Sequence, residues 1–222
     1  KDKVDQGELP RHFDQFNSLQ EKLVNRFKDL HFLTPERALH FACCKDTVED
    51  SGTVQYLEDI ANEAGSESKF VYVEDIGVDA QGNLTDLDDQ VISWLFKLYP
   101  WEFMFEEEFG QLLGQQPVRF LEPAWKSLLS NKAILPMLWQ QFPNHPNLLP
   151  AFFEEDLAQV DTDIALIKKP IFSREGANIS LLRHGVETNL SQGPYGSEGY
   201  VYQQKHTLPK FGENFTLIGS WL

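Results

Sequence analysis

The sequence predicts an α+β fold: a βαβ-type, mostly parallel mixed-sheet domain followed by a small antiparallel β-rich module. Three observations carry this. Between residues 39 and 121, short apolar runs of strand length alternate with helical patterns. From residue 164 onward, strand-like segments follow one another with no helical pattern between them. The chain is 222 residues long and 41% hydrophobic, with 17 Phe and five Trp, enough to bury a sizeable core.

The opening residues, through about Arg11, are polar and charged and read as a tether. Phe16, Leu19, Leu23, Val24, Phe27 and Leu30 then recur at three- and four-residue steps, one face of an amphipathic helix. Asn17 or Ser18 is its cap, and Glu21 follows in the first turn. Residues 39–44 are a strand, and 45–52 a polar loop. A second helix fits 53–64, with Val54, Leu57 and Ala61 on one face and Gly65 as its stop. Strands follow at 70–73, 91–96 and 119–121, with a turn at Gln81-Gly82-Asn83. Helical signals return over 131–142, ahead of a Pro- and Asn-rich stretch that runs to Pro150. Residues 164–169, 178–182, 199–204 and 215–221 complete the strands, with 172–176 a loop. The boundary between the two domains is placed at 130/131. The chain begins at Lys1 without Met and stops inside a strand-like run, which predicts a piece of a longer protein.

With 34 Asp+Glu against 19 Lys+Arg, the net charge of −15 argues against nucleic acid or an anionic membrane as partner of the surface as a whole. A small basic pocket for a phosphate is compatible with it. The only cysteines, Cys43 and Cys44, are adjacent within an apolar run, so they read as core thiols in a reducing compartment. No apolar run is long enough to span a bilayer. No Walker-type phosphate loop, dinucleotide fingerprint, nucleophile elbow or metal-ligand spacing of His and Cys is present.

The segment richest in chemistry is Lys168-Lys169-Pro170-Ile171-Phe172-Ser173-Arg174-Glu175-Gly176-Ala177-Asn178-Ile179. Two strands flank a loop that carries a hydroxyl and a guanidinium and ends in glycine. A strand-end ammonium, loop N–H groups and an arginine are the groups that surround a triphosphate. On the residues alone, a solvated hairpin fits the same pattern.

K-P-I-F-S-R-E-G-A-N-I resembles the lid-hairpin motif of the glutathionylspermidine synthase-like ATP-grasp ligases, whose pattern is close to K-P-I-x-G-R-x-G-x-N-I. Four more stretches resemble that family in the same order: K-L-Y-P-W-E (97–102), L-E-P-A-W (121–125), S-N-K-A-I-L-P (130–136), and Y-Q-Q (202–204) with L-P-K (208–210). The resemblance implies an ATP-grasp-like fold with a pre-ATP-grasp, substrate-side region over 1–130. The lid and nucleotide-binding region over 131–222 would be incomplete at its C-terminus. It implies a carboxylate–amine ligase that uses ATP and Mg²⁺ in the cytoplasm, with no nucleic-acid or membrane partner. ATP phosphorylates the carboxylate, and the amine attacks the acyl phosphate.

By the same resemblance, Lys132 and Lys169 contact the nucleotide phosphates and Arg174 is the catalytic lid arginine. Ser173 and Gly176 belong to the loop that covers the phosphates, and Gln203, Gln204 and His206 lie where adenine is read. Glu49, Asp50, Lys97 and Glu102 fall on the substrate side, the acidic pair suiting a polyamine. The family's magnesium ligands are expected outside this chain, so no metal site is assigned within it. Leu98 and Phe103 replace the two threonines of the family's K-T-W-x-W-E-T stretch, and Glu175 replaces a small or sulfur-containing residue, so the substrates need not be glutathione and spermidine. A degenerate ATP-grasp protein that binds nucleotide or peptide without ligation, and a plain interaction domain, are the alternatives.

Overall fold

The computed structural model describes residues 2–13, 17–33, 38–115 and 117–217. They fall into two compact units, Lys1–Ala124 and Trp125–Leu222.

The first unit is built on a four-stranded parallel sheet. Its strands are β1 (Leu39–Cys43), β2 (Ser68–Tyr72), β3 (Trp94–Leu98) and β4 (Arg119–Phe120), in the order β2-β1-β3-β4. Helices α1 (Leu19–Leu33) and α2 (Val48–Glu63) accompany it. β1 lies between β2 and β3 with all five residues buried, so it needs apolar, small or well-partnered residues on both faces. Leu39, Phe41 and Cys43 join Val24 and Phe27 of α1 and Val54, Ile60 and Ala61 of α2 in one cluster. Ala42 turns the other way, into a second cluster with Val71, Leu95, Trp101 and Met104. The Phe41 ring sits 6.0 Å from Phe27 and 5.9 Å from Phe96, centroid to centroid.

His40, also buried, needs a polar partner on the second face. Its Nε2 lies 3.1 Å from Asp86 Oδ2, and the Lys69 ammonium donates to the same oxygen and to Asp88, each at 2.9 Å. Burial pushes the Asp86 carboxyl up, but Lys69, the Gln90 and Asp88 N–H groups and His40 outweigh it and hold the group well below the usual carboxylate range.

Several local expectations shift here. The opening segment holds a short helix, Asp2–Asp5, and a turn of 3₁₀ helix, Arg11–Phe13, where a tether is predicted. Phe16 lies outside the described residues; of the two candidate caps, the Asn17 side chain accepts the Leu19 N–H at 3.1 Å. The polar loop predicted over 45–52 is mostly helix, because α2 starts at Val48. Glu49 and Asp50 thus stand in its first turn, where the exposed N–H groups favour anions, and Gly52 is carried inside the helix. The strand predicted at 91–96 is β3 at 94–98, with Val91 making only an isolated bridge to Thr85.

The second unit is a five-stranded antiparallel sheet of β5 (Ala151–Phe152), β6 (Leu166–Pro170), β7 (Ser180–Arg183), β8 (Val186–Asn189) and β9 (Tyr200–Gln204). Its strand order is β8-β7-β6-β9-β5, with helix α3 (Ile134–Gln141) packed on β5 and β9. The edge strands β5 and β8 carry no sequence signal of their own; β8 follows β7 through the His184-Gly185 turn, both residues at positive φ as a tight hairpin requires. Of the strand predicted at 215–221, only Phe215 is in a strand, within the two-residue pairing Asn214–Phe215, and residues from 218 lie outside the described set.

Candidate functional site

Adjacent side chains of a strand point to opposite faces, and β6 carries two lysines in a row. In register with β9, Lys168 faces Tyr202 and Lys169 faces Val201. Lys168 Nζ lies 3.1 Å from both oxygens of Glu187 on β8 and 4.4 Å from the Tyr200 ring centroid. Burial works against its charge, but the Glu187 carboxylate outweighs this and holds the ammonium above its ordinary pKa.

Lys169 has the opposite environment. Its ammonium donates to the amide oxygen of Gln203, 2.7 Å away, and burial alone lowers its pKa. A half-buried cation held by a neutral dipole keeps its attraction for an anion.

Lys132 comes to the same hairpin from another direction. Asn131 begins the turn into α3, its side-chain oxygen accepting the Ala133 N–H at 2.8 Å. The Lys132 N–H donates to the Ile171 carbonyl at 2.9 Å. Its ammonium reaches the Ser173 carbonyl at 2.7 Å and the Ser173 hydroxyl oxygen at 3.0 Å. Lys132 is thus held against the loop between β6 and β7, Lys169 lies on the strand that leads into it, and Arg174 stands exposed on it.

That loop is shaped by left-handed backbone at Glu175 (φ 53°), Gly176 (φ 71°) and Asn178 (φ 55°). A second segment, beyond β8, clips it. The Ser191 hydroxyl donates to the Gly176 carbonyl and accepts the Ile179 N–H, and Asn178 Oδ1 accepts the Tyr195 N–H at 2.9 Å. A Cβ on Gly193 would stand 2.7 Å from both Ala177 Cβ and Asn178 Oδ1, so only glycine permits this approach. Sequence reasoning missed Ser191 and Gly193, because a turn-rich stretch gives no periodic pattern from which a tertiary contact follows.

Of the remaining predicted residues, Gln204 lies on the face opposite Gln203, and its N–H donates to the Pro150 carbonyl at 2.8 Å. His206 is exposed just after β9. A cleft of about 450 Å³ elsewhere in this unit, walled by Trp139, Phe152, Asp156 and Ile164 among others, includes none of the predicted residues.

The other four predicted residues belong to the first unit, at the carboxyl-terminal side of its parallel sheet, the side where open α/β sheets bind ligands. Glu49 and Asp50 open α2. Lys97 on β3 is buried, donating to the Tyr99 carbonyl at 2.7 Å with its ammonium 3.9 Å from the Trp101 ring centroid. Glu102 stands in the first turn of the short helix Trp101–Met104. Among the described residues, no group of three or more His, Cys, Asp or Glu is placed to hold a metal ion, and no helix is long and apolar enough to cross a membrane.

The second unit is an antiparallel sheet in which the Lys132 ammonium is held on the loop between β6 and β7 and the Lys169 ammonium on Gln203 of β9. The chain matches the family described as glutathionylspermidine synthase preATP-grasp over residues 2–222, and it belongs to that family. It is 42% identical over 228 residues to a Haemophilus influenzae protein provisionally named an acid–amine ligase, covering 99% of this chain and 58% of that protein. It is 30% identical over 197 residues to the bifunctional glutathionylspermidine synthetase/amidase of Escherichia coli, covering 78% of this chain and 31% of the relative. A trypanothione synthetase from Crithidia fasciculata is 26% identical over 201 residues, or 80% of this chain and 30% of its own length. The chain thus spans between about a third and three fifths of the relatives it matches.

Proposed function

We propose that the protein is an ATP-dependent carboxylate–amine ligase of the acyl-phosphate type. The observation that carries this reading is the Lys132 ammonium held on Ser173, in the loop that follows the strand of Lys169, whose own ammonium is set on the Gln203 amide, in a chain whose relatives are named ligases and synthetases. A carboxylate does not condense with an amine in water, so the site must first activate it. A carboxylate oxygen attacks the γ-phosphorus of ATP, and ADP leaves. The amine nitrogen then attacks the acyl carbon, inorganic phosphate leaves, and the nitrogen loses a proton.

In this scheme Lys132 and Lys169 hold the nucleotide phosphates, and Arg174 meets the charge that accumulates on the transferring phosphoryl group. The loop through Ser173 and Gly176 covers the phosphates. Gln203, Gln204 and His206 belong to the adenine side. Magnesium accompanies the nucleotide, and no residue of this chain is assigned to it.

The substrates are a small or peptide carboxylate and an amine, a polyamine being suited to the acidic start of α2, with Glu49, Asp50, Lys97 and Glu102 as substrate-side residues. The setting is cytoplasmic, with no nucleic-acid or membrane partner. Calorimetric titration of MgATP into the full-length protein, followed by ADP release with panels of acids and amines, tests the proposal. Acid- and amine-dependent ADP release is the expected result. Nucleotide binding with no such release across the panel leaves a binding protein instead, a reading that the apolar Leu98 and Phe103 favour.

A further inference from the structure

Lys169, like Lys97 and Lys132, has a neutral hydrogen-bond partner where other lysines of the chain meet carboxylates. Lys45 is paired with Asp75, Lys69 with Asp86 and Asp88, Lys168 with Glu187 and Lys210 with Glu213. The Lys169 ammonium instead meets an amide oxygen at 2.7 Å. Gln203 lies two residues along β9 from Val201, the cross-strand partner of Lys169, so both side chains leave the same face and meet on the diagonal. A glutamate at 203 would have the same length and reach. It would cancel the cation within a half-buried setting. The amide fixes the direction of the ammonium and leaves its charge available.

Resting on the nucleotide reading above, we propose that Gln203 is a positioning residue. It aims the Lys169 ammonium at the nucleotide's phosphate chain, and its neutrality keeps that lysine selective for a polyanion. Its role therefore runs through Lys169, whose ammonium its carbonyl oxygen engages.

The test uses the full-length protein and the variants Gln203→Glu and Gln203→Met, the second retaining length without an acceptor. MgATP is titrated calorimetrically at low and high salt. Separately, acylation of Lys169 by an amine-reactive ester at fixed pH is read by peptide mass spectrometry, with Lys168 as the internal reference. Gln203→Met should weaken ATP binding about tenfold, and Gln203→Glu about ten- to hundredfold with a flatter salt dependence, the range expected for one hydrogen bond to a charged group. Lys169 acylation should fall about tenfold relative to Lys168 in Gln203→Glu only, as a paired ammonium gives up its proton less readily.

Unchanged ATP affinity and salt dependence in both variants, with ATP binding the native protein, overturns the positioning role and leaves the nucleotide reading standing. If the native protein binds no ATP, the nucleotide reading and the phosphate-directed role fail together. The acylation ratio then still reports whether the 2.7 Å contact governs Lys169. An unchanged ratio overturns that as well.

Discussion

The Lys132 ammonium donates to both the carbonyl and the hydroxyl oxygen of Ser173, at 2.7 and 3.0 Å, so the residue that leads into α3 holds a loop 41 positions later in the chain. Ser173→Ala removes the hydroxyl and keeps the carbonyl bond, and Lys132→Met removes both. Hydrogen exchange over residues 172–177 should quicken slightly in the first variant and about tenfold or more in the second, given a worth of about 1.5 to 3 kcal/mol for a charged hydrogen bond. Equal protection in all three proteins would separate Lys132 from the loop.

Arg174→Ala should lower turnover in the ligase reaction by about a hundredfold or more, with ATP affinity changed far less. In the role proposed for it, its charge matters most while the phosphoryl group is in transit. Steady-state kinetics with a substrate pair found by the ADP-release screen, set beside calorimetric ATP affinity, gives the two quantities. Equal loss in both would assign Arg174 to ground-state binding instead.

Two glycines, one in the β6–β7 loop and one in the segment that clips it, should respond differently to alanine. A Cβ on Gly176 meets nothing within 4 Å, so the cost is that of a left-handed backbone, about 1 kcal/mol. A Cβ on Gly193 collides with Ala177 and Asn178, an overpacking cost of about 1 to 3 kcal/mol that lifts the clip off the loop. Thermal melts measure the stability of both variants. Faster exchange of the Ile179 and Tyr195 N–H groups should appear only in Gly193→Ala.

Acid should weaken the first unit through Asp86. Its folded pKa is depressed, so the stability it contributes is present above the ordinary aspartate value of about 4 and is lost as pH falls through the folded value. Denaturant melts at pH 7 and pH 3 should show a loss in the native protein that is smaller in Asp86→Asn. Asp86→Ala should cost about 3 to 5 kcal/mol at pH 7, because it leaves buried His40 without its carboxylate and takes one of Lys69's two. A pH dependence identical in native and Asp86→Asn proteins would remove Asp86 as its source.

The adjacent thiols should be poor nucleophiles. Burial first, then the Glu74 and Asp46 carboxylates, push Cys44 up to about 11, and burial likewise raises Cys43. At pH 8 roughly one Cys44 in a thousand is thiolate. Iodoacetamide should leave the folded protein largely unmodified and label both cysteines once it is unfolded, as intact mass will show. Rapid labelling of the native protein would contradict this electrostatic picture.

The parallel sheet was legible because β1 and β3 are apolar runs bounded by polar turns, and α1 because its apolar residues keep a helical step. The start of α2 was not, since Asp46, Glu49, Asp50 and Gly52 compose a loop by residue type while the helix accepts them through its N-terminal dipole. β5 and β8 were missed for a different reason. The first is two residues long and the second fully exposed, so their pairing is fixed by neighbours rather than by their own residues. At the site, the approach of Lys132 to Ser173 joins segments distant in sequence, and no spacing rule encodes it. The resemblance singled out both residues, while the bond between them is a product of the fold.

The adjacency of Lys168 and Lys169 also constrains how this family can drift. Both are the same letter, and only the parity of their positions gives one a carboxylate and the other an amide. Loss or gain of one apolar residue ahead of them in β6 would exchange the faces they occupy without altering the charge. Length changes should therefore accumulate in the turns at either end of this strand, and within it they should occur in pairs.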